Sequence, residues 1–271
     1  MNQPHYERYL GRNTMPGNEL DGHIGVVTGG GSGIGRQTTL TLAAAGATVI
    51  ALDLDGSGLD ETAGLAGEHA RRVRTAICDV SDEASFHAAV MTSAEGRDPL
   101  FLVNAAGIEG PMSRLVDTTI DDWDRVLRVN LRGSFVPMKS LLPAMIVAGE
   151  GSIVNLASVA SFGGAGELSA YTASKHAVVG LTRAAVAEVA RSGVRINAIG
   201  PGPTRTPLQT RAEQNNADPE MMRSRQIEAI PQGRYGEPEE IADLILFLVS
   251  DRSTYVNGAL IAIDGGMTAT L

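Results

Sequence analysis

Hydrophobic positions along this chain fall into short unbroken runs separated by longer stretches of mixed character. Residues 24–28, 48–52, 73–78, 100–105, 152–157, 195–199 and 259–263 are apolar, largely β-branched runs too short for helices. Between them, residues 36–45, 59–70, 83–93, 120–148, 168–190 and 238–249 read as helices. Short, continuously apolar strands suit a sheet buried on both faces, and regular alternation with helices supplies the crossovers that parallel pairs require. The pattern predicts an α/β fold: one doubly wound Rossmann-type domain of about seven parallel strands with helices on both faces. No linker splits it. Residues 1–19 form a polar N-terminal extension, and 20–271 form the domain. The stretch from Pro201 to Gly236 breaks the alternation, being long, polar and bounded by proline and glycine. Long loops in compact domains are usually functional or mobile, so residues at about 203–236 read as a substrate lid.

Composition narrows the function classes. With 43% hydrophobic and 20% charged residues, the 271-residue chain can build a sizeable core and is not intrinsically disordered. Its 22 Lys and Arg against 31 Asp and Glu leave a net charge of −9, which disfavours nucleic acid and anionic membrane surfaces as partners. Cys78 is the single cysteine, and no Cys/His cluster has zinc spacing, so neither a disulfide nor a metal site is expected. The N-terminus lacks the apolar core of a signal peptide, and no run approaches ~18 apolar residues, so a cytoplasmic location is expected.

The first strand runs into Thr28-Gly29-Gly30-Gly31-Ser32-Gly33-Ile34-Gly35, and a helix follows. Glycines at a helix start let backbone N–H groups approach a pyrophosphate, and the helix dipole favours its charge. The spacing is Gly29-x-x-x-Gly33-x-Gly35 rather than Gly-x-Gly-x-x-Gly, and a tight structural turn also accounts for it. Asp53 ends the second strand 18 positions after Gly35, near the offset of about 20 residues expected for an acid that binds the adenosine ribose. Asp55 competes for that role. In the second long helix Tyr171 and Lys175 are four residues apart and share a face. An ammonium beside a phenol favours the phenolate, so the expectation is a lowered Tyr171 pKa and a general acid/base. Such pairs are also common on helix surfaces. Ser158 stands at the end of the fifth strand, at the sheet edge where ligands bind, and Asn130 lies in the first long helix.

Together these residues resemble the short-chain dehydrogenase/reductase family, from about Leu20 to Met267. The motifs are the Thr28–Gly35 turn, Asp53, Asp79-Val80, Asn104-Ala105-Ala106-Gly107, Asn130, Ser158, Tyr171, Lys175, Pro201-Gly202 and Thr206. The resemblance implies that Tyr171 transfers the proton, Lys175 holds the nicotinamide ribose and lowers the Tyr171 pKa, and Ser158 polarises the reacting oxygen. It implies that Asn130 bends its helix and holds a water linking Lys175 to solvent. Gly29, Ser32, Gly33, Ile34, Gly35 and Asp53 would hold the cofactor's pyrophosphate and ribose, and Asp79 and Val80 its adenine. Asn104, Ala105, Ala106 and Gly107 would line it, while Pro201, Gly202, Thr204 and Thr206 would hold the carboxamide. Ala105 and Thr204 depart from the family's commonest residues at positions where backbone atoms make the contact.

The implied activity is NAD-dependent interconversion of a small-molecule secondary alcohol and a ketone, and the implied assembly is a homotetramer. Reduction of a 3-oxoacyl thioester is the rival within the family, and a non-catalytic dinucleotide-binding regulator is the rival outside it. Neutral Ser32 and Leu54, at the positions that carry basic residues in NADP-preferring relatives, point to NAD. The direction of the Arg36 side chain stays open. Glu109-Gly110-Pro111, residues 159–164 and the lid are the substrate-facing candidates. Arg205, Arg211, Met221 and Met222 are lid residues that either line that pocket or simply face solvent and core.

Overall fold

The computed structural model describes residues 18–216 and 218–270. The seven apolar runs form strands β1 (Ile24–Thr28), β2 (Thr48–Asp53), β3 (Val73–Ile77), β4 (Phe101–Asn104), β5 (Gly151–Leu156), β6 (Val194–Pro201) and β7 (Leu260–Ile263). They build one seven-stranded parallel sheet in the order β3-β2-β1-β4-β5-β6-β7. The helices are α1 (Gly33–Ala44), α2 (Gly56–Leu65), α3 (Glu83–Ala94), α4 (Ile120–Leu127), α5 (Gly133–Ala148), α6 (Ser169–Val189), α7 (Pro207–Gln214), α8 (Pro219–Glu228) and α9 (Pro238–Val249).

The continuous apolar runs are explained by burial on both faces. Ile24 and Val26 of β1, with Ile50 and Leu52 of β2, pack with Phe86 of α3, Met138 of α5 and Ala185 of α6. Val27, Val49 and Val103 point the other way, onto Leu42 of α1 and Ile241, Ile245 and Leu248 of α9. Strand order reverses between β1 and β4, so the carboxyl ends of these two strands open a crevice.

Two regions differ from the sequence reading. The long helix expected over 120–148 is interrupted by a π-helical turn at Arg128–Arg132, which separates α4 from α5. The stretch after β6 is not irregular: α7 and α8 form there, each starting at a proline and capped by Thr206 or Asp218. Of the N-terminal extension, residues 1–17 lie outside the described residues, and buried Leu20 donates its N–H to Ala45 O at 2.9 Å, tying the chain to the core. Among the described residues no helix is long and apolar enough to cross a membrane, and no group of His, Cys, Asp and Glu is arranged to hold a metal ion.

Candidate active site

The turn after β1 is packed backbone against backbone. Gly29 has φ +70, and a Cβ on it would lie 2.8 Å from Ala106 N. A Cβ on Gly35 would lie 2.1 Å from Gly29 O, so no larger residue fits. Ser32 sits at the N-cap of α1 without making a side-chain cap, whereas Asp55, Asp82 and Thr119 cap α2, α3 and α4. The leading amides of α1 are therefore left for an anion, as its dipole favours. Asp53 accepts from Gly31 N at 2.9 Å and Asp55 N at 3.1 Å, which fixes its carboxylate and leaves lone pairs for a ligand. Asp55 is spent on the α2 cap, accepting from Ser57 N and Ser57 Oγ. Arg36 turns back onto the loop: its Nε donates to Gly31 O and Thr62 Oγ1, each at 3.1 Å, and it pairs with Glu61 at 2.7 Å. Asp79, on the next strand's exit, feels burial pulling its pKa up, but hydrogen bonds from Ser81 hold it below the ordinary value.

The second constellation lies at the ends of β5 and α6. Lys175 is buried and donates from Nζ to Leu156 O at 2.8 Å, with Nζ 5.7 Å from the centroid of the Tyr171 ring. Ser158, just past β5, turns its hydroxyl to the Tyr171 phenol and favours the charged form. Burial dominates nevertheless, and with the negative Glu109 nearby it pushes Tyr171 up to about 12. Burial also pushes Lys175 down to about 8. The expected lowering of the Tyr171 pKa is thus reversed in the bare chain. Lys175 lies along the ring, bonded to Leu156 O, and its own charge is penalised by the same burial. Asn130 sits in the π-helical turn, where its amide donates to Ile108 O and Ser174 Oγ, both at 2.9 Å, and its Oδ1 accepts from Ile108 N at 2.8 Å. The sequence reading missed Ser174, a serine that donates to Tyr171 O at 2.7 Å and so ties Asn130 to the helix carrying the phenol.

Both constellations open on one cavity of about 550 Å³. Gly29, Ser32, Gly33, Ile34, Gly35, Asp53, Asp79 and Val80 line one end. Ala105, Ala106, Gly107, Ser158, Tyr171, Lys175, Pro201, Gly202, Thr204 and Thr206 line the rest. Thr206 meets the glycine turn directly, since a Cβ on Gly33 would lie 3.3 Å from its side chain. Two expected residues are behind the wall instead. Asn104 is buried, donating to Asn155 Oδ1 at 2.8 Å, and Asn130 holds the loop after β4 rather than facing the cavity.

A family model described as enoyl-(acyl carrier protein) reductase matches residues 29–268. Levodione reductase of Leifsonia aquatica is 41% identical over 263 residues, covering 94% of this chain and 98% of the relative. A crystal structure of levodione reductase, 40% identical, has a TM-score of 0.88 to this chain, with coverage of 93% and 100%. A solved protein described as a short chain dehydrogenase/reductase family protein is 33% identical, with a TM-score of 0.82 and coverage of 93% and 99%. This chain belongs to the short-chain dehydrogenase/reductase family. A 3-oxoacyl-[acyl-carrier-protein] reductase of Thermotoga maritima is 40% identical over 92% of this chain and 98% of the relative. Cyclohexanol dehydrogenase of an Acinetobacter species is 35% identical, with coverage of 93% and 97%. An NAD+-bound xylitol dehydrogenase structure is 31% identical, with a TM-score of 0.87 and coverage of 91% and 99%.

As a member of the short-chain dehydrogenase/reductase family, the chain is an oxidoreductase, and the family works with a nicotinamide cofactor. The glycine cradle, the uncapped α1 and the fixed Asp53 fit such a group. Sequence reasoning did not single out Leu156, Leu168, Leu208, Gln209, Gln226 or Met267, which also line the cavity. Leu208, Gln209 and Gln226 fall within the lid read as substrate-facing, while Leu156, Leu168 and Met267 arrive from three further segments and nothing in their local sequence marks them. Met221 and Met222 do not line it, Arg205 is paired with Glu237 at 2.7 Å, and Arg211 does line it. His176 is exposed, and Cys78 is buried in the core with one side on the cavity wall.

Proposed function

We propose that this protein interconverts a secondary alcohol and a ketone with NAD, Tyr171 acting as the general acid/base. One observation carries the reading: Ser158, Tyr171 and Lys175, with the Lys175 Nζ 5.7 Å from the Tyr171 ring centroid, line the same cavity as the glycine turn and Asp53. A bound nicotinamide supplies the hydride chemistry. Gly29, Ser32, Gly33, Ile34 and Gly35 would cradle its pyrophosphate, Asp53 would accept from the adenosine ribose, and Asp79 and Val80 would flank the adenine. Ala105, Ala106 and Gly107 would form the wall beneath, and Pro201, Gly202, Thr204 and Thr206 would hold the carboxamide. Tyr171 holds or takes the proton at the reacting oxygen, Ser158 donates to that oxygen as charge develops, and Lys175 would hold the ribose hydroxyls. Asn130 positions Ile108 and Ser174 behind them. Residues 203–236, with α7 and α8, act as the lid.

Relatives named for levodione and cyclohexanol support an uncharged cyclic alcohol or ketone as substrate. The Thermotoga relative favours a second reading, reduction of a 3-oxoacyl thioester. The test is turnover of alcohols, ketones and a 3-oxoacyl thioester, followed by nicotinamide absorbance, with wild type and Tyr171→Phe. Loss of at least ~10²-fold in the variant is expected. A variant within about twofold of wild type would overturn the role of Tyr171.

A further inference from the structure

Three ionisable side chains of the cavity, Cys78, Glu109 and Arg211, are not used by the mechanism above, and Glu109 is the one whose charge reaches Tyr171. Glu109 follows Ile108, whose N–H and C=O are both clamped by the Asn130 carboxamide at 2.8 and 2.9 Å. Gly110 follows at φ +81, where a Cβ would lie 2.6 Å from Val126 Cγ2, so this turn is seated tightly on α4. Held from both sides, Glu109 lines the cavity together with Ser158 and Tyr171. Among the described residues it has no hydrogen bond and no ion pair, and burial pushes its carboxyl up. Its charge also opposes ionisation of the Tyr171 phenol. The other ionisable groups of the cavity are Asp53, Cys78 and Asp79 at the β2 and β3 end, Lys175 below the phenol and Arg211 on α7. Lys175 donates to Leu156 O, and among the described residues no ion pair joins Lys175 or Arg211 to Glu109.

A partly buried carboxylate without a donor is costly, and a ligand that brings the donor recovers that cost. An ionised carboxylate only accepts hydrogen bonds, so it offers nothing to a second carbonyl and repels an anionic substrate. Lys175 and Arg211 in the same cavity disfavour a cationic one. Resting on the alcohol/ketone reading, we propose that Glu109 is a specificity-determining residue that accepts a hydrogen bond from a second hydroxyl of the substrate. The preferred substrates are then neutral diols, or hydroxyketones in the reducing direction.

The test compares kcat/KM for cyclohexanol and for the 1,2- and 1,4-cyclohexanediols, using wild type, Glu109→Gln and Glu109→Ala. Wild type is expected to favour at least one diol over cyclohexanol by about tenfold; Glu109→Ala, which removes the acceptor, should lose most of that preference through KM, and Glu109→Gln, which keeps a weaker neutral acceptor, should lose less. The pH–rate profile for cyclohexanol is expected to move to lower pH in both variants, because the charge opposing the phenolate is gone. Thermal stabilisation of the protein by the preferred diol, seen in wild type, should shrink in both variants. An unchanged diol-to-cyclohexanol ratio with an unmoved pH profile overturns the inference, as does a wild-type preference for an amino alcohol. If wild type oxidises no alcohol and reduces no ketone, the alcohol/ketone reading itself fails and this inference with it. Turnover of both substrate types without discrimination sinks only the role of Glu109.

Discussion

Asp53 and Arg36 hold the two polar groups of one glycine: the carboxylate accepts from Gly31 N and the guanidinium donates to Gly31 O. That arrangement decides what a dinucleotide meets beside its adenosine ribose. Arg36 is neutralised by Glu61 and does not line the cavity, while exposed Leu54 does. An added phosphate would face Asp53 with no cation to offset it. Like charges ~4 Å apart repel by about 4 kcal/mol at an effective dielectric of 20, and solvent at this partly open site weakens that. A preference for NAD over NADP of at least ~100-fold, or about 2.7 kcal/mol, is expected in kcat/KM. Asp53→Ala should narrow the ratio; equal efficiency with both cofactors in the unmodified protein would refute the argument. Tyr171 makes a second prediction. Burial holds the cofactor-free phenol protonated up to about 12, so it should not ionise at the ordinary tyrosine value of ~10. An ultraviolet titration of wild type minus Tyr171→Phe should show no phenolate step there; a step at or below that value would show that burial does not dominate.

At the scale of elements, the turn between β1 and α1 tolerates no added carbon at Gly35. Gly35→Ala places its Cβ 2.1 Å from Gly29 O, so the backbone of the cradle must move. Overpacking of this kind costs ~1–3 kcal/mol, and thermal unfolding should fall accordingly, with dinucleotide affinity falling further. A variant that unfolds and binds like wild type would show that the turn is not tightly packed. The lid helices rest on their caps: Asp218 accepts from Met221 N at 3.0 Å at the start of α8. Asp218→Ala should cost about 1 kcal/mol locally and raise KM more than it lowers kcat. Equal loss in both parameters would place α8 in the chemical step rather than in substrate capture.

Across the whole molecule, apolar residues remain uncovered on the face where α4 gives way to α5. Leu127, Leu131, Phe135 and Leu181 line a shallow depression there, and Phe135 is 47% exposed. Along α5, Leu141 and Met145 are buried in the core, whereas Ile146 and Val147 face out. A homotetramer is the expected assembly, with light scattering near four times 28.3 kDa. Phe135→Glu should lower that mass by breaking one class of contact. A concentration-independent monomer in the unmodified protein would remove the proposal.

The sheet was legible in the sequence because burial on both faces leaves unbroken apolar runs, and because a glycine turn followed by Asp53 is a local arrangement. Ser158, Tyr171 and Lys175 were legible for a similar reason: their order along the chain follows strand ends and one helix face. The π-helical turn at Arg128–Arg132 was not legible in the apolar pattern, only in the resemblance that has Asn130 bend its helix, because the side-chain bonds of Asn130 to Ile108 and Ser174 cross between segments. Nor were the direction of Arg36, the raised Tyr171 pKa and the unpaired Glu109. Each depends on what distant segments place beside a side chain, and on how much water they leave there. Chain order determined which groups this protein carries to the crevice; tertiary packing alone decided their charge states and which of them remain free for a ligand.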